Sequence, residues 1–349
     1  MNKQLFGRMP DGTPVELFNV KSGEIEAQFM AFGAGIVSLR VPDRSYVVDD
    51  IVLGFSDLAG YVRNHGSKAP FFFGSSVGRY ANRIAHARFS LDGHQYTLFK
   101  NNGDHSLHGG PGGFYNVLWE AEPAENGVVF HYLSKDGEEG FPGNLRATVR
   151  YTLTPEELKI EYLATSDKTT VLNFTNHAYL NLAGPARGTI LSHRLKLFAS
   201  RFTPVDAGLI PTGELRSVAG TPLDFRHSTE IGARIDAKDE QLRLGHGYDH
   251  NFVLDDGSPN LKPAAELHDP SSGRLLEIWT TEPAIQFYSG NFLDGSVHGR
   301  NGVAYPKHSG LCLETQHFPD SPNHPEFPST VLRPGETFRS STVLKFGIR

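Results

Sequence analysis

Alternation of apolar and polar residues with a period of two is the feature that most constrains how this chain folds. The apolar residues of segments 149–153 and 158–164 alternate with polar ones, and the Thr-Pro-Glu-Glu of segment 154–157 between them indicates a turn. Such alternation is typical of strands that bury one face. The two segments are therefore predicted to be antiparallel neighbours in a sheet.

A second signal for antiparallel pairing is the Asp92-Gly93 dipeptide between segments 88–91 and 94–97. A two-residue Asp-Gly loop favours a type I′ turn, which places Phe89 opposite Tyr96 in a hairpin. Further strands are predicted at segments 127–133, 191–198, 275–280, 284–288 and 310–314.

Signals for helices are few by comparison. Two short helices are predicted around 229–235 and 238–244, and neither is long enough to form a layer. The sequence has no βαβ alternation and no fixed-period repeat, and its 37 glycines and 22 prolines are spread throughout, as many short strands with tight turns require. We therefore predict an all-β chain in which residues 1–349 form a single domain, a large antiparallel β-sandwich.

Composition and charge exclude several classes of function. Hydrophobic residues make up 38% of the chain, and the net charge of −6 with no basic run offers no footprint for nucleic acid. No apolar run approaches the roughly 18 residues of a membrane helix, and the first residues lack the apolar segment of a secretory signal. The single cysteine, Cys312, fits a reducing compartment. We expect a cytoplasmic protein, monomeric or homodimeric, without nucleic-acid or membrane partners.

Three motifs that suggest other chemistry lack the context they need. Segment 74–78 spells Gly-x-Ser-x-Gly, but no parallel sheet and helix surround Ser76 to make it a hydrolase nucleophile. The glycine-rich segment 108–113 lacks the ending of a P-loop, so a sharp turn or a close approach to a ligand is favoured. His105 and His108 lack the helical periodicity that would place both imidazoles on one face, and no nearby cysteine completes a ligand set, so no metal site is predicted.

Two segments carry residues suited to acid–base chemistry. Segment 171–177 alternates as a strand and ends at His177, and segment 310–316 places Glu314 near the end of an apolar strand. A buried glutamate is costly unless it has a partner. The simpler alternatives are a histidine bonded to backbone and one member of a buried ion pair. Asp249 precedes another apolar strand and either binds hydroxyl groups or caps a turn.

Seven short motifs are spread along almost the whole chain. They are segments 78–84 (Gly-Arg-Tyr-Ala-Asn-Arg-Ile), 106–110 (Ser-Leu-His-Gly-Gly), 175–182 (Thr-Asn-His-Ala-Tyr-Leu-Asn-Leu), 249–252 (Asp-His-Asn-Phe), 286–291 (Gln-Phe-Tyr-Ser-Gly-Asn), 306–310 (Pro-Lys-His-Ser-Gly) and 313–316 (Leu-Glu-Thr-Gln). In this order and combination the sequence resembles the aldose 1-epimerase, or galactose mutarotase, family. Ala178 is a mild departure from the expected pattern, and no catalytic position departs from it.

The resemblance implies a β-sandwich of the galactose mutarotase-like type that interconverts the α and β anomers of free hexoses such as galactose and glucose. It implies no cofactor. Carried over position by position, it makes Glu314 the general base and His177 the general acid. The side chains that it implies for the sugar are those of Asn82, Arg83, His108, Asp249 and Gln286, with Tyr179 lining the pocket. Gln286 is the position expected to vary with substrate preference.

These residue types suit the opening of a sugar ring, in which the C1 hydroxyl loses a proton while the ring oxygen gains one. Glu314 and His177 can make both transfers, and each is expected to favour the charged form of the other. If each group lies about 3 Å from an oxygen that is bound to the same carbon, the carboxylate and the imidazole are predicted to be roughly 5–8 Å apart. His108 and Arg83 are expected to donate hydrogen bonds to the charge that develops on the ring oxygen.

Three alternatives remain open from the sequence. A non-catalytic sugar-binding or sugar-sensing protein on the same fold has no use for both Glu314 and His177. A hexose-phosphate mutarotase needs a basic cluster in its cleft, where only Arg83 is evident. A glycosidase that uses Glu314 with Asp249 has no role for His177.

Overall fold

The N-terminal part of the chain forms a sheet of five strands, within the residues 2–349 that the computed structural model describes. The strands follow one another as an antiparallel meander: β1 Asn2–Arg8, β2 Pro14–Ser22, β3 Ile25–Met30, β4 Gly35–Pro42 and β5 Val48–Asp50. Helix α1, Leu58–His65, follows. It begins where the Asp57 carboxylate accepts a hydrogen bond from the N–H of Gly60. This helix was not predicted from the sequence, although Asp57 is a usable start signal.

The next five strands are short and lie in the connections before the largest sheet. They are β6 Ser76–Val77, β7 Arg83–Ile84, β8 Arg88–Leu91, β9 His94–Thr97 and β10 Ser106–Leu107. The predicted hairpin is confirmed, because β8 and β9 pair with Phe89 opposite Tyr96 and the two ring centroids are 5.3 Å apart. β7 pairs with β10, which joins two of the motif segments.

The strands predicted on either side of the 154–157 turn are confirmed. The chain there contains β11 Glu120–Ala124, β12 Gly127–Ser134, β13 Leu145–Leu153, β14 Glu157–Ser166, β15 Thr170–Val171 and β16 Thr175–Asn176. The continuous strand predicted for 171–177 is wrong, because only β15 and β16 are regular. The backbone of this segment changes partners along its length, from Val331 to Arg79 and then to β6, so no single ladder runs through it.

The C-terminal half supplies the remaining elements. They are β17 Arg194–Leu197, β18 Ala199–Thr203, β19 Arg216–Ser217, β20 Thr229–Glu230, α2 Glu240–Gly245, β21 Asp249–Leu254, β22 Lys262–His268, β23 Arg274–Thr280, β24 Ala284–Tyr288, β25 Cys312–Gln316, β26 Val331–Leu332 and β27 Phe338–Ile348. Short 3₁₀ helices occupy Ala85–Ala87, Phe114–Asn116, Glu138–Gly140, Ile190–Ser192, Ile231–Ala233, Arg300–Gly302 and Ser321–Asn323.

Both regions that were predicted to be helices contain shorter elements than expected. The region predicted as a helix at 229–235 is a two-residue strand followed by a 3₁₀ turn, and the helix predicted at 238–244 is α2. Asp239 caps α2 by accepting hydrogen bonds from two backbone N–H groups. Among the described residues 2–349, no helix is long and apolar enough to cross a membrane.

Three large sheets pack as a sandwich, which confirms the predicted fold class. A nine-stranded sheet has the order β11-β12-β13-β14-β27-β23-β22-β17-β20, and a second five-stranded sheet has the order β19-β18-β21-β24-β25. Phe29 of β3 stacks on Tyr151 of β13 with ring centroids 4.5 Å apart, and Thr315 Oγ1 of β25 lies 2.6 Å from Thr342 Oγ1 of β27. Ile160 lies opposite both Tyr151 and Thr342, so the two smaller sheets cover the same face of the large one.

Gly74, in the loop before β6, is a position where the fold requires glycine. Its φ is +68°, and a Cβ there would lie 2.0 Å from the carbonyl oxygen of Ile36. We expect Gly74→Ala to lower the free energy of unfolding by at least about 2 kcal/mol, because backbone strain and a clash add together. Urea denaturation measures the loss.

Gly12→Ala is the matched control for this prediction. Gly12 also has a positive φ, +89°, but a Cβ there would meet nothing within 4 Å. The free energy of unfolding of Gly12→Ala should fall only by the cost of placing alanine in a left-handed backbone conformation, about 1 kcal/mol. Equal losses in the two variants would contradict the clash at Gly74.

Candidate active site

Strand β25 presents Glu314 on the face that points away from the sandwich interior. Its neighbour Thr315 bonds to β27 on the inner face, and alternation along a strand puts Glu314 on the other side. Glu314 lies directly opposite Gln286 of β24. Gln286 in turn donates a hydrogen bond of 2.7 Å from its Nε2 to Oδ1 of Asp249 on β21. Three predicted site residues therefore share one face of this sheet.

His177 reaches the same face from the end of the 175–177 segment. Its N–H donates to the carbonyl of Ser75 at 2.9 Å, and its carbonyl accepts from the N–H of Gly74 at 3.0 Å. Its Nε2 lies 3.8 Å from Oε1 of Glu314. The expected separation of 5–8 Å is therefore wrong. That expectation placed the groups on opposite sides of one carbon, whereas the strands bring them side by side.

Asn82, Arg83 and His108 form a second wall, built on the β7–β10 pairing. The N–H of Asn82 donates to Nδ1 of His108 at 3.1 Å, and the N–H of His108 donates to the carbonyl of Asn82 at 3.0 Å. Asn82 and His108 both have left-handed backbones, with φ of +63° and +53°. Non-glycine residues in this region are uncommon and cluster at functional sites.

The eight predicted site residues lie together. The His108 and His177 ring centroids are 5.2 Å apart, and the Tyr179 ring is also 5.2 Å from that of His177. Arg83 is close enough to Asp249 and Glu314 for their charges to raise its pKa against the larger lowering by burial. The exposed fractions are small, at 2% for Glu314, 5% for His177 and 9% for Asp249. The roles assigned to these residues stay predictions.

Burial controls the protonation of the central pair. It raises the pKa of Glu314 well above 4.5, with a further raise from Asp249 and an opposing effect from Arg83. It lowers the pKa of His177 to about 4. The expected mutual support of two charges is therefore outweighed by the cost of burying them. Between these two pKa values the pair holds one proton.

The same cluster is compatible in spacing with a metal ion, since the ligand atoms of His108, His177 and Glu314 lie within 4.8 Å of one another. The hydrogen bond from Asn82 makes Nδ1 of His108 an acceptor, and burial lowers the pKa of His108 well below 6.5. Neutral His108 therefore carries its proton on Nε2. A protonated nitrogen cannot coordinate a metal, so His108 is suited to donating a hydrogen bond to a ligand oxygen.

Two residues that the sequence analysis did not assign to the site contact His177. Cys312, expected to be a small core residue, is fully buried, and its Sγ lies 3.5 Å from Nδ1 of His177. Its position two residues before Glu314 on the same strand was a usable signal. Phe72 places its ring 5.3 Å from the ring of His177. The apolar run 71–73 gave no sign of this contact.

The remaining motifs are structural. Ser76 is buried, donates to the carbonyl of Ala34 at 3.1 Å and lies in β6 without a following helix, so it is not a hydrolase nucleophile. In the glycine-rich segment, a Cβ on Gly109 would lie 2.1 Å from the carbonyl oxygen of Gly78, so this glycine permits a close backbone approach. Nδ1 of His105 accepts from the N–H of His86, outside the cluster.

The chain is similar to known proteins over nearly its whole length. A family model described as aldose 1-epimerase matches residues 16–345. The galactose mutarotases of Bos taurus and Homo sapiens are 46% and 45% identical over 349 residues, which is 100% of this chain and 99% of each relative. The aldose 1-epimerase of Escherichia coli K12 is 41% identical over 342 residues, 97% of this chain and 96% of the relative.

Solved structures give the same fold. The aldose epimerase homologue of C. elegans has a TM-score of 0.87 at 32% identity, covering 95% of this chain and 98% of that one. The galactose 1-epimerase of Lactobacillus acidophilus has a TM-score of 0.86 at 26% identity, covering 99% and 98%. The fold is therefore the galactose mutarotase-like β-sandwich of a sugar isomerase. The chain belongs to the aldose 1-epimerase family, as its motifs predicted.

Proposed function

We propose that this chain is an aldose 1-epimerase that interconverts the α and β anomers of free aldohexoses such as galactose and glucose, without a cofactor. One observation carries the proposal: a buried carboxylate and imidazole, with His177 Nε2 3.8 Å from Glu314 Oε1, lie inside a cluster of polar side chains of the kind that can bind hydroxyl groups. Relatives named galactose mutarotase and aldose 1-epimerase, at 41–46% identity, support the substrate class.

In the proposed mechanism Glu314 takes the proton of the C1 hydroxyl while His177 gives a proton to the ring oxygen. The ring opens, rotation about C1–C2 turns the other face of the aldehyde, and reclosure reverses both transfers. Burial favours the state in which Glu314 carries the one proton of the pair. This proton must therefore pass to Nε2 of His177, 3.8 Å away, before Glu314 can take the proton of the C1 hydroxyl. Acid and base catalysis of this kind contributes about 10²–10⁴-fold for each group.

The neighbouring side chains are suited to holding the sugar in place. We assign hydroxyl binding to Asn82, Arg83, Asp249 and Gln286. Arg83 is fixed by the bond from its Nε to Oδ1 of Asn102 at 3.1 Å. The Nε2–H of His108 is the donor best placed to stabilise negative charge on a sugar oxygen. Tyr179 is fully packed beside His177, where it forms part of the pocket wall.

The pH dependence of kcat/KM should be bell-shaped. Below about pH 4 His177 becomes protonated while Glu314 also keeps its proton, so the pair has no base. Above the raised pKa of Glu314 the one remaining proton of the pair is lost, so the pair has no acid. The value of kcat/KM should therefore fall as the pH drops toward 4, where His177 gains a proton. It should fall again on the alkaline side, as the pH rises through the raised pKa of Glu314. A profile without either limb would contradict the one-proton pair.

Polarimetry of freshly dissolved α-glucose and α-galactose tests the proposed activity directly. The enzyme should speed the approach to the equilibrium rotation beyond the rate in buffer. Saturable binding of the same sugars without any acceleration would instead indicate a sugar-binding or sugar-sensing protein. Release of sugar from a chromogenic glycoside would indicate a glycosidase. Faster mutarotation of glucose 6-phosphate, but not of glucose, would indicate a hexose-phosphate mutarotase. Rates with glucose, galactose, xylose and arabinose then rank the substrates.

We also propose that residues 1–349 act as one domain in the cytoplasm, as a monomer or homodimer. Support for one domain comes from a buried apolar cluster that includes residues from Val15 to Leu344 and from the family match over 16–345. Support for the cytoplasm comes from the single, unpaired Cys312. Size-exclusion chromatography with light scattering separates monomer from dimer.

A further inference from the structure

Phe72 occupies a backbone conformation that bulky residues rarely adopt. Its φ is +57°, in the left-handed region, where a non-glycine residue is strained and persists only when its surroundings hold it there. The surroundings are a hydrogen-bonded turn, because the carbonyl of Phe72 accepts from the N–H of Ser75 at 3.1 Å. Gly74 and Ser75 in turn bond to the backbone of His177 on both sides. Phe72 and His177 therefore belong to one rigid unit.

This conformation carries the ring of Phe72 against both imidazoles of the site. Its centroid lies 4.6 Å from that of His108 and 5.3 Å from that of His177, while the two imidazoles cross each other at 86°. On a third side, the ring of Tyr115 meets it edge-on at 4.7 Å. Phe72 is 6% exposed, so the ring is almost sealed from solvent.

We propose that Phe72 is a positioning residue for the reaction, which fixes the angle between His108 and His177 and keeps water away from His177. This inference rests on the proposed function. A cavity in place of the ring would let both imidazoles turn about their side-chain bonds. Small displacements of a catalytic group can cost up to about 100-fold in rate. The strained turn before β6 is therefore part of the catalytic architecture, although Phe72 exchanges no proton.

Loss of the ring should also change how His177 titrates. The titratable groups that face this imidazole from the surrounding elements are those of Glu314, Cys312, His108, Tyr179 and His65. None of these is altered by a substitution at Phe72. Burial is the main reason that the pKa of His177 falls to about 4. Admitting water beside the ring should therefore move this pKa up toward 6.5.

The experiment compares F72A, F72L and F72Y with F71A as the matched control. Phe71 lies in the same loop, and its aromatic neighbour is Phe73 at 5.8 Å. We expect F72A to lower kcat by about 10-fold or more and to shift the acid limb of the pH profile upward. NMR titration of His177 should show the same upward shift. F72Y should restore both properties, F72L should restore them only in part, and F71A should resemble the wild type in both.

Several outcomes would overturn the inference. Wild-type kcat and an unchanged His177 titration in folded F72A would do so, as would equal losses in F72A and F71A. If F72A does not fold, F72L decides the matter, and wild-type kcat with an unchanged acid limb in F72L counts against the proposal. Failure of the proposed function is distinguishable, because the wild type would then show no mutarotation while the NMR shift of His177 in F72A could still be measured.

Discussion

Glu314→Gln is expected to reduce kcat by at least about 10²-fold, because an amide of the same size cannot take a proton from the C1 hydroxyl. The change should leave the backbone in place, since β25 is held by its ladder with β24. The measurement is polarimetry with glucose and galactose, at substrate concentrations that separate kcat from KM. The alkaline limb of the pH profile should disappear from the residual activity.

The chain offers a matched control for this variant. Glu282 is also a buried glutamate, 3% exposed, and its Oε2 pairs with Nδ1 of His317 at 2.6 Å, outside the candidate site. Glu282→Gln should lower stability, because it breaks a buried pair, but it should leave kcat within about threefold if only the Glu314 pair does chemistry. Near-wild-type turnover in Glu314→Gln, or equal losses in the two variants, would remove the assignment of the base.

The pH dependence of folding stability provides a second test of the protonation of Glu314. Its pKa is raised in the folded state, so the folded protein binds this proton more tightly than the unfolded chain does. The resulting stabilisation is present at low pH and is lost as the pH rises through the folded-state pKa. Glu314→Gln removes this dependence. Above that pKa the variant should therefore unfold at a temperature equal to or higher than that of the wild type.

His177→Asn is expected to have an effect of similar size, at least about 10²-fold on kcat, because asparagine has no proton to give to the ring oxygen at neutral pH. Its signature differs from that of Glu314→Gln. The acid limb near pH 4 belongs to His177, so the residual activity should lose that limb and keep the alkaline one. Rate measurements from pH 3.5 to 9 with each variant show which limb is missing.

His317→Asn serves as the control for the loss of a buried imidazole. His317 has a raised pKa because Glu282 favours its charged form against the opposing effect of burial. This substitution should lower the stability at neutral pH and leave both limbs of the activity profile in place. A profile of His177→Asn that still falls near pH 4 would show that a group other than His177 sets the acid limb.

Local signals in the sequence predicted much of the fold. The hairpin at 88–97 was predictable because the Asp92-Gly93 turn and its flanking residues are contiguous, and the β13–β14 pair follows from alternation on either side of one turn. The break in segment 171–177 was not predictable in this way. It depends on three different backbone partners that are distant in sequence.

The candidate site likewise has features that the sequence predicts and features that depend on contacts between distant segments. Its membership could be expected from the motifs, which the structure brings into one cluster. The 3.8 Å between His177 and Glu314 could not, because it depends on how β25 and the 175–177 segment meet across the fold. The dominance of burial over mutual charge attraction also depends on the finished packing. Phe72 lies in none of the motifs, and only its left-handed backbone and its ring contacts point to a role.

A hydrogen ion that moves only between two enclosed side chains and the sugar never has to be replenished from bulk water. The glutamate and imidazole exchange duties when the ring recloses, so each round of turnover leaves them as they started. Such a catalyst needs no resetting step and favours neither direction. That property suits a task in which two forms of one compound must be kept in balance.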